Sequence, residues 1–362
     1  MILDPDAFAG LLCDYCLEVS AGQQVLVSST TLATPLLLSL QRALLEREAW
    51  PLLRAALPEQ EAGFWAAARD AHVDRVPSAE LAEVSAVDSV LRIDAPANTR
   101  ALAAVDPARM ARAARARAGM REIMLSKRWC GTLWPTPASA QQAGMATSDF
   151  AAFVRRALFL DREDPIAAWR ELSAVQARLI ERLSSARELR IEGEGTDLRL
   201  SVAGRVWVNS DGRRNMPSGE VFTGPVESSA EGRIRYDVPS SPRGLEVSGI
   251  ELEFRAGRVV AARADRGDSV LQAMLATDEG ARVLGEIGIG TNFGVDRPVG
   301  SVLVDEKMGG TVHLALGRSY PETGGTNESA IHWDMICDLR RGGRLLADGA
   351  PVVVDGALVQ SD

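Results

Sequence analysis

Between residues 329 and 339 the chain reads SAIHWDMICDL. On a strand, successive side chains point to opposite faces. Ile331, Trp333 and Met335 therefore face one way, and His332 and Asp334 share the other. An imidazole and a carboxylate at that spacing can both reach one cation. Two further stretches repeat the theme. In GTVHLALG, His313 stands with Thr311 and Ala315 opposite Val312, Leu314 and Leu316. In GEIGIGTN, Glu286 stands with Gly288 and Gly290 opposite Ile287 and Ile289. A core strand has no need of a polar residue surrounded by small ones. A fourth stretch, NMPSGEVFTGP, sets Glu220 on what reads as an irregular connection, punctuated by Pro217, Gly219, Gly224 and Pro225.

Taken singly, each has an ordinary reading: a histidine satisfied by a hydrogen bond, or an acid at a turn. Together they gather two of the chain's three histidines and three acids into one pattern. Mixed carboxylate and imidazole ligation suits Zn, Mn, Co or Fe rather than Ca or a thiolate site. The pattern alone leaves both readings open. Other chemistries are easier to set aside. GEIGIGTNFG imitates a dinucleotide fingerprint, but counting from Gly288 the third glycine position holds Phe293. No Walker A sequence, HExxH helix or GxSxG elbow occurs. His72, in DAHVDRV, has no companions in this pattern and reads as a surface residue. Cys13 and Cys16 form a CxxC without a second pair, so they read as first-helix thiols; Cys130 and Cys337 read as isolated buried thiols.

The elements that must carry these residues fall into two regions. The first half alternates helical patterns with short apolar runs. A helix is predicted over 4–19, then QVLVSS, a helix through TPLLLSLQRALLERE, WPLLRAAL, a helix in EQEAGFWAAARD, DSVLRIDA, helical PARMARAARARAGM and a strand at 127–134. Such alternation implies a parallel sheet flanked by helices. A helical region over 147–186 follows. Beyond it, hairpin punctuation and period-two alternation dominate, interrupted by a predicted helical insert at 268–284. The expected division is an α/β domain over 1–186 and a mainly antiparallel β domain over 187–362 carrying the candidate residues. With a net charge of -9, the 362-residue chain is a poor partner for nucleic acid. No apolar run is long enough to span a bilayer, so no membrane association is expected. Acids stand where a signal peptide would have a basic region, which makes the cytoplasm the expected location.

The four stretches NMPSGEVFTGPVE, LGEIGIGTN, GTVHLALGRSYPETGG and SAIHWDMICDL resemble the aminopeptidase T and aminopeptidase S family of metallopeptidases. RWCGTLWPTPASAQQAGM is similar more weakly, and the likeness runs over nearly the whole chain. It implies a two-domain enzyme that removes N-terminal residues from peptides with two divalent cations (Zn, Co or Mn) and forms a homodimer. It maps the metal ligands onto Glu220, Glu286, His313, His332 and Asp334, and a catalytic tyrosine onto Tyr320. Five ligands serve two metals with three each if one carboxylate bridges, which keeps an open position on each. Cations about 3.5–4 Å apart would clamp the attacking water and polarise the scissile carbonyl. Tyr320 would donate to the developing oxyanion. Glu220 and Glu286 are the candidates for the general base if either does not ligate.

Two other readings compete. A ring-cleaving Fe(II) dioxygenase of the same fold family would use His313, His332 and Asp334 as a facial triad. It would have no need of Glu220, Glu286 and Tyr320. A non-catalytic descendant that only binds peptides would have no reason to keep the set.

Overall fold

The computed structural model describes residues 2–359. Two compact units are found. One holds the chain up to Ile166 together with Gly212–Pro217, the other Ala167–Asp211 together with the chain from Ser218 on.

In the first unit, hydrophobic strands separated by helical segments form a parallel sheet. Its order is Trp50–Ala56, Gln24–Thr30, Ser89–Asp94, Arg128–Leu133 and the short Asn215–Met216. The helix Thr34–Glu46 opens with Pro35 in its first turn, where a missing N–H costs nothing. It buries Leu36, Leu40, Ala43 and Leu44, the i, i+4, i+7, i+8 stripe of an amphipathic helix. His72 is exposed, and all four cysteines are free and buried.

The second unit is built on two antiparallel sheets. The eight-stranded sheet is made of hairpins, among them Glu188–Gly193 with Thr196–Ser201 and Ile250–Arg255 with Arg258–Arg263. The five-stranded sheet runs in the order His332–Asp338, Thr311–Gly317, Leu284–Gly290, Glu220–Thr223, Val208–Ser210. Ile287, Ile289, Val312, Leu314, Leu316, Trp333 and Met335 are buried in one core with Leu198, Ile234, Leu252 and Phe254 of the other sheet. Leu179 and Leu183 of the helix Pro165–Leu183 join the same core. The period-two alternation read from the sequence is thus the pleat of a real sheet.

Four local expectations are corrected. The helix predicted over 4–19 is α-helical only over Pro5–Leu11 and then widens into a π-turn at Leu12–Cys16. The region 147–186 is two helices, Thr147–Ala157 and Pro165–Leu183, the second opening at a proline. The insert at 268–284 is helical only over Asp268–Leu275. Asp278 then captures the N–H groups of Ala281 and Ala330 with its carboxylate, a 3-10 turn follows, and Leu284 already begins a strand. Glu220 opens the regular strand Glu220–Thr223 rather than lying in an irregular connection.

Register explains the glycines. Gly288 lies opposite His313, and a Cβ at 288 would run into the imidazole ring. Gly288→Ala is therefore expected to lower stability by about 1–3 kcal/mol through overpacking. Gly63 sits mid-helix with nothing within 4 Å of its would-be Cβ. Gly63→Ala should raise stability by about 0.5–1 kcal/mol. Chemical denaturation of both variants checks the pair, and a stabilising Gly288→Ala would contradict the packing described.

Candidate metal centre

Glu220, Glu286, His313, His332 and Asp334 all project from one face of the five-stranded sheet, and Glu220 and His332 are held from behind by hydrogen bonds. Glu220 begins its strand after Gly219, whose φ of 114° suits only glycine; a Cβ there would meet Asn292. The Glu220 carbonyl accepts from the buried amide of Gln176, 2.5 Å away. Glu286 is flanked across the ladder by Ala315, and Ala315 in turn by Asp334. A single small residue thus separates two acids on the same row. His332 donates from Nδ1 to the Arg318 carbonyl at 2.7 Å, which fixes the tautomer and leaves Nε2 free to face the cluster.

The functional atoms converge. His313 Nε2 lies 3.1 Å from Glu286 Oε1 and 3.4 Å from Glu220 Oε2. His332 Nε2 lies 3.5 Å from Glu286 Oε2 and 3.6 Å from Asp334 Oδ1. The donors form overlapping groups, Glu220, Glu286 and His313 in one and Glu286, His332 and Asp334 in another. Glu286 belongs to both. Its two oxygens are turned to different histidines.

Two residues that sequence reasoning passed over complete the cluster. Glu306 forms a third group with His313 and Asp334. Lys307 is buried between carboxylates, with Nζ donating to Glu220 Oε1 and, at 2.5 Å, to Glu306 Oε1. The only signal in the sequence was the run VDEKMGG, charges followed by paired glycines on the approach to a strand. The loop is pinned there. Asn292 N–H donates to the Lys307 carbonyl at 3.0 Å, and the Asn292 amide donates to the Ser218 carbonyl at 2.9 Å. The Asp305 carboxylate accepts from the N–H groups of Val299 and Gly300.

The electrostatics are those of a site short of positive charge. Burial alone would lower the imidazole pKa values, yet the surrounding carboxylates outweigh it. His313, bonded to Glu286 and facing Glu220, is lifted to about 9, and His332, beside Asp334 and Glu286, also to about 9. Burial lifts Glu306 to about 8 against the opposing charge of Lys307. Glu286 is also raised, by burial and by Asp334 and Glu220, despite His313. Asp334 is held low, since its histidine neighbours and Lys307 outweigh its burial. Meanwhile Glu220 Oε2, His313 Nδ1 and Asp334 Oδ1 are buried without hydrogen-bond partners. Buried polar atoms are normally paired. Unpaired carboxylate oxygens beside imidazoles that cling to protons are what a cation would satisfy, so the donor set fits divalent metal.

Tyr320 stands at the rim. Its ring packs against His332 edge-on at 5.0 Å between centroids and against Phe222 at 5.7 Å. Burial first, then the charges of Glu286 and Asp334, raise its phenol well above the ordinary value. It therefore remains a hydrogen-bond donor at neutral pH. All six residues singled out from the sequence are thus brought into one neighbourhood of the second unit.

Known proteins set this geometry in context. The family model described as thermophilic metalloprotease (M29) matches residues 4–354. Aminopeptidase 2 of Geobacillus stearothermophilus is 34% identical, over 71% of each chain. Aminopeptidase T of Thermus thermophilus is 34% identical over 49% of each chain, so that alignment spans about half its length. The solved structure of wild-type AmpT from Thermus thermophilus superposes with a TM-score of 0.85 at 24% identity, covering 99% of both chains, a likeness of fold. The 2,5-dihydroxypyridine dioxygenase of Pseudomonas putida shares the fold more distantly, with a TM-score of 0.59 at 16% identity, covering 99% of this chain and 97% of its own. The chain belongs to the thermophilic metalloprotease (M29) family and is an enzyme of the metallopeptidase class.

Proposed function

We propose that the protein is an aminopeptidase that removes N-terminal residues from peptides with a water activated between two divalent cations. The observation that carries this reading is the placement of Glu286, whose two oxygens face His313 and His332 separately. One cation would be held by Glu220, Glu286 and His313, the other by Glu286, His332 and Asp334. Glu286 would then serve both cations, and each would have three protein ligands. Charge favours two. With the carboxylates ionised and both imidazoles neutral, the state in which they ligate metal, Glu220, Glu286, Glu306 and Asp334 against Lys307 leave three net negative charges, more than one divalent ion would neutralise.

When bound, such ions supply a water acidified toward neutral pH and an electrophile for the scissile carbonyl. The remaining steps belong to the protein. Glu306 is not needed as a ligand in this scheme; one oxygen is held by Lys307, the carboxyl lies beside His313 and Asp334 and its proton affinity is raised, so its other oxygen would take the proton of the attacking water and return it to the leaving amine. Tyr320, kept protonated, donates to the oxyanion that develops on the carbonyl. The exopeptidase reading is supported by the names of the relatives, aminopeptidases at about one-third identity. Zinc, cobalt and manganese all suit the donor set. The proposal includes homodimers, as the family resemblance implies, and a cytoplasmic location. Four free, buried cysteines suit a reducing compartment, and no helix of the described residues is long and apolar enough to cross a membrane.

Hydrolysis of aminoacyl-nitroanilides should be abolished by a chelator and restored by Zn, Co or Mn. Oxygen-dependent turnover of an aromatic ring with one iron per chain would instead establish the dioxygenase reading. Tyr320→Phe should lower kcat by about 10²–10³ while leaving KM nearly unchanged. A variant with wild-type kcat would remove Tyr320 from the mechanism.

A further inference from the structure

Lys307 is 1% exposed, and burying an ammonium costs several kcal/mol unless its partners compensate. A lysine needed only to tie a loop would be cheaper at the surface. Here both partners belong to the candidate centre. The ammonium holds Oε1 of Glu220 and Oε1 of Glu306. The other oxygen of Glu220 is buried, has no hydrogen-bond partner and lies 3.4 Å from His313 Nε2. The Glu220 carboxylate is therefore divided. One oxygen is occupied by the protein, and the other is turned into the cluster.

A carboxylate with both oxygens free can chelate one cation through both of them, which raises the coordination number and fills the open position that a catalytic metal needs. We propose that Lys307 is a positioning residue that restricts Glu220 to ligation through a single oxygen, Oε2, and so keeps one coordination position open for water or substrate. This rests on the two-cation reading above. The bond from Lys307 to Glu306 serves the same arrangement: it anchors the second carboxylate beside the cluster while its own charge is offset.

The test uses the full-length protein loaded with cobalt, because the visible absorption of Co(II) weakens as its coordination number rises. Lys307→Met removes the ammonium. Since that leaves two buried acids uncompensated, Lys307→Met combined with Glu306→Gln is made alongside; it conserves the net charge and still frees Glu220 Oε1. In both variants the Co(II) bands should weaken while calorimetry shows cobalt binding within about tenfold of wild type. Lys307→Met should lose about 10–100-fold in kcat. If wild type binds no cobalt, the metal reading itself fails. If wild type binds it and both variants keep the wild-type spectrum, Lys307 does not control the denticity of Glu220 and the proposal is overturned. Folded variants that no longer bind cobalt would overturn it too, because the proposal leaves every ligand in place.

Discussion

Carboxylates gathered on one buried sheet face repel one another, and in a low-dielectric interior that repulsion must be met by positive charge. Most of this site can be understood from that constraint. The protein supplies one fixed cation, Lys307, and places it where it touches two acids at once. Among the described residues no second lysine or arginine is paired with the cluster, and the remaining demand shows in two imidazoles drawn toward their charged form. Three buried donor atoms are left without hydrogen bonds. A fold that only needed stability would have used apolar residues here, since a buried ionic cluster gains little over good packing. Retaining the cluster makes sense when a mobile cation is the missing partner.

The sheet divides the labour between its faces. One face buries Ile287, Ile289, Leu314, Trp333 and Met335 in the core shared with the eight-stranded sheet. That packing fixes the strands, and fixed strands hold the donors on the opposite face. Space there is set by small residues: Gly288 admits the His313 ring, and Ala315 separates Glu286 from Asp334. Hydrogen bonds from Gln176 to Glu220 and from His332 to Arg318 set the remaining orientations. The geometry of the site thus depends on residues behind and beside the donors.

Much of this was legible in the sequence, for a definable reason. Strand periodicity is local, so the shared face of His332 and Asp334, and the small neighbours of Glu286 and His313, could be read from spacing alone. The parallel sheet was also visible, through its alternation with helices. What escaped depends on tertiary reach. Lys307 lies 87 residues from Glu220 along the chain, and no local pattern announces that its side chain turns inward. Glu220 itself read as part of a loop because Pro217 and Gly219 mask the short strand it opens. The pattern over 268–284 reads as one helix because it does not show that Asp278, beyond the helix end, captures backbone N–H groups and opens a separate 3-10 turn. The ligand set came from resemblance rather than from periodicity, and the convergence of the donor atoms is what gives it physical content.

The proposed sharing of Glu286 by two cations on this face rests on its two oxygens facing different histidines. Anomalous diffraction from crystals of the zinc- or cobalt-loaded protein, recorded on either side of the metal absorption edge, addresses it most directly. Two peaks per chain are expected, one contacting Glu220 and His313, the other His332 and Asp334, with Glu286 contacting both. A single peak bound by His313, His332 and Asp334 alone, or peaks that leave Glu286 uncoordinated, would contradict it.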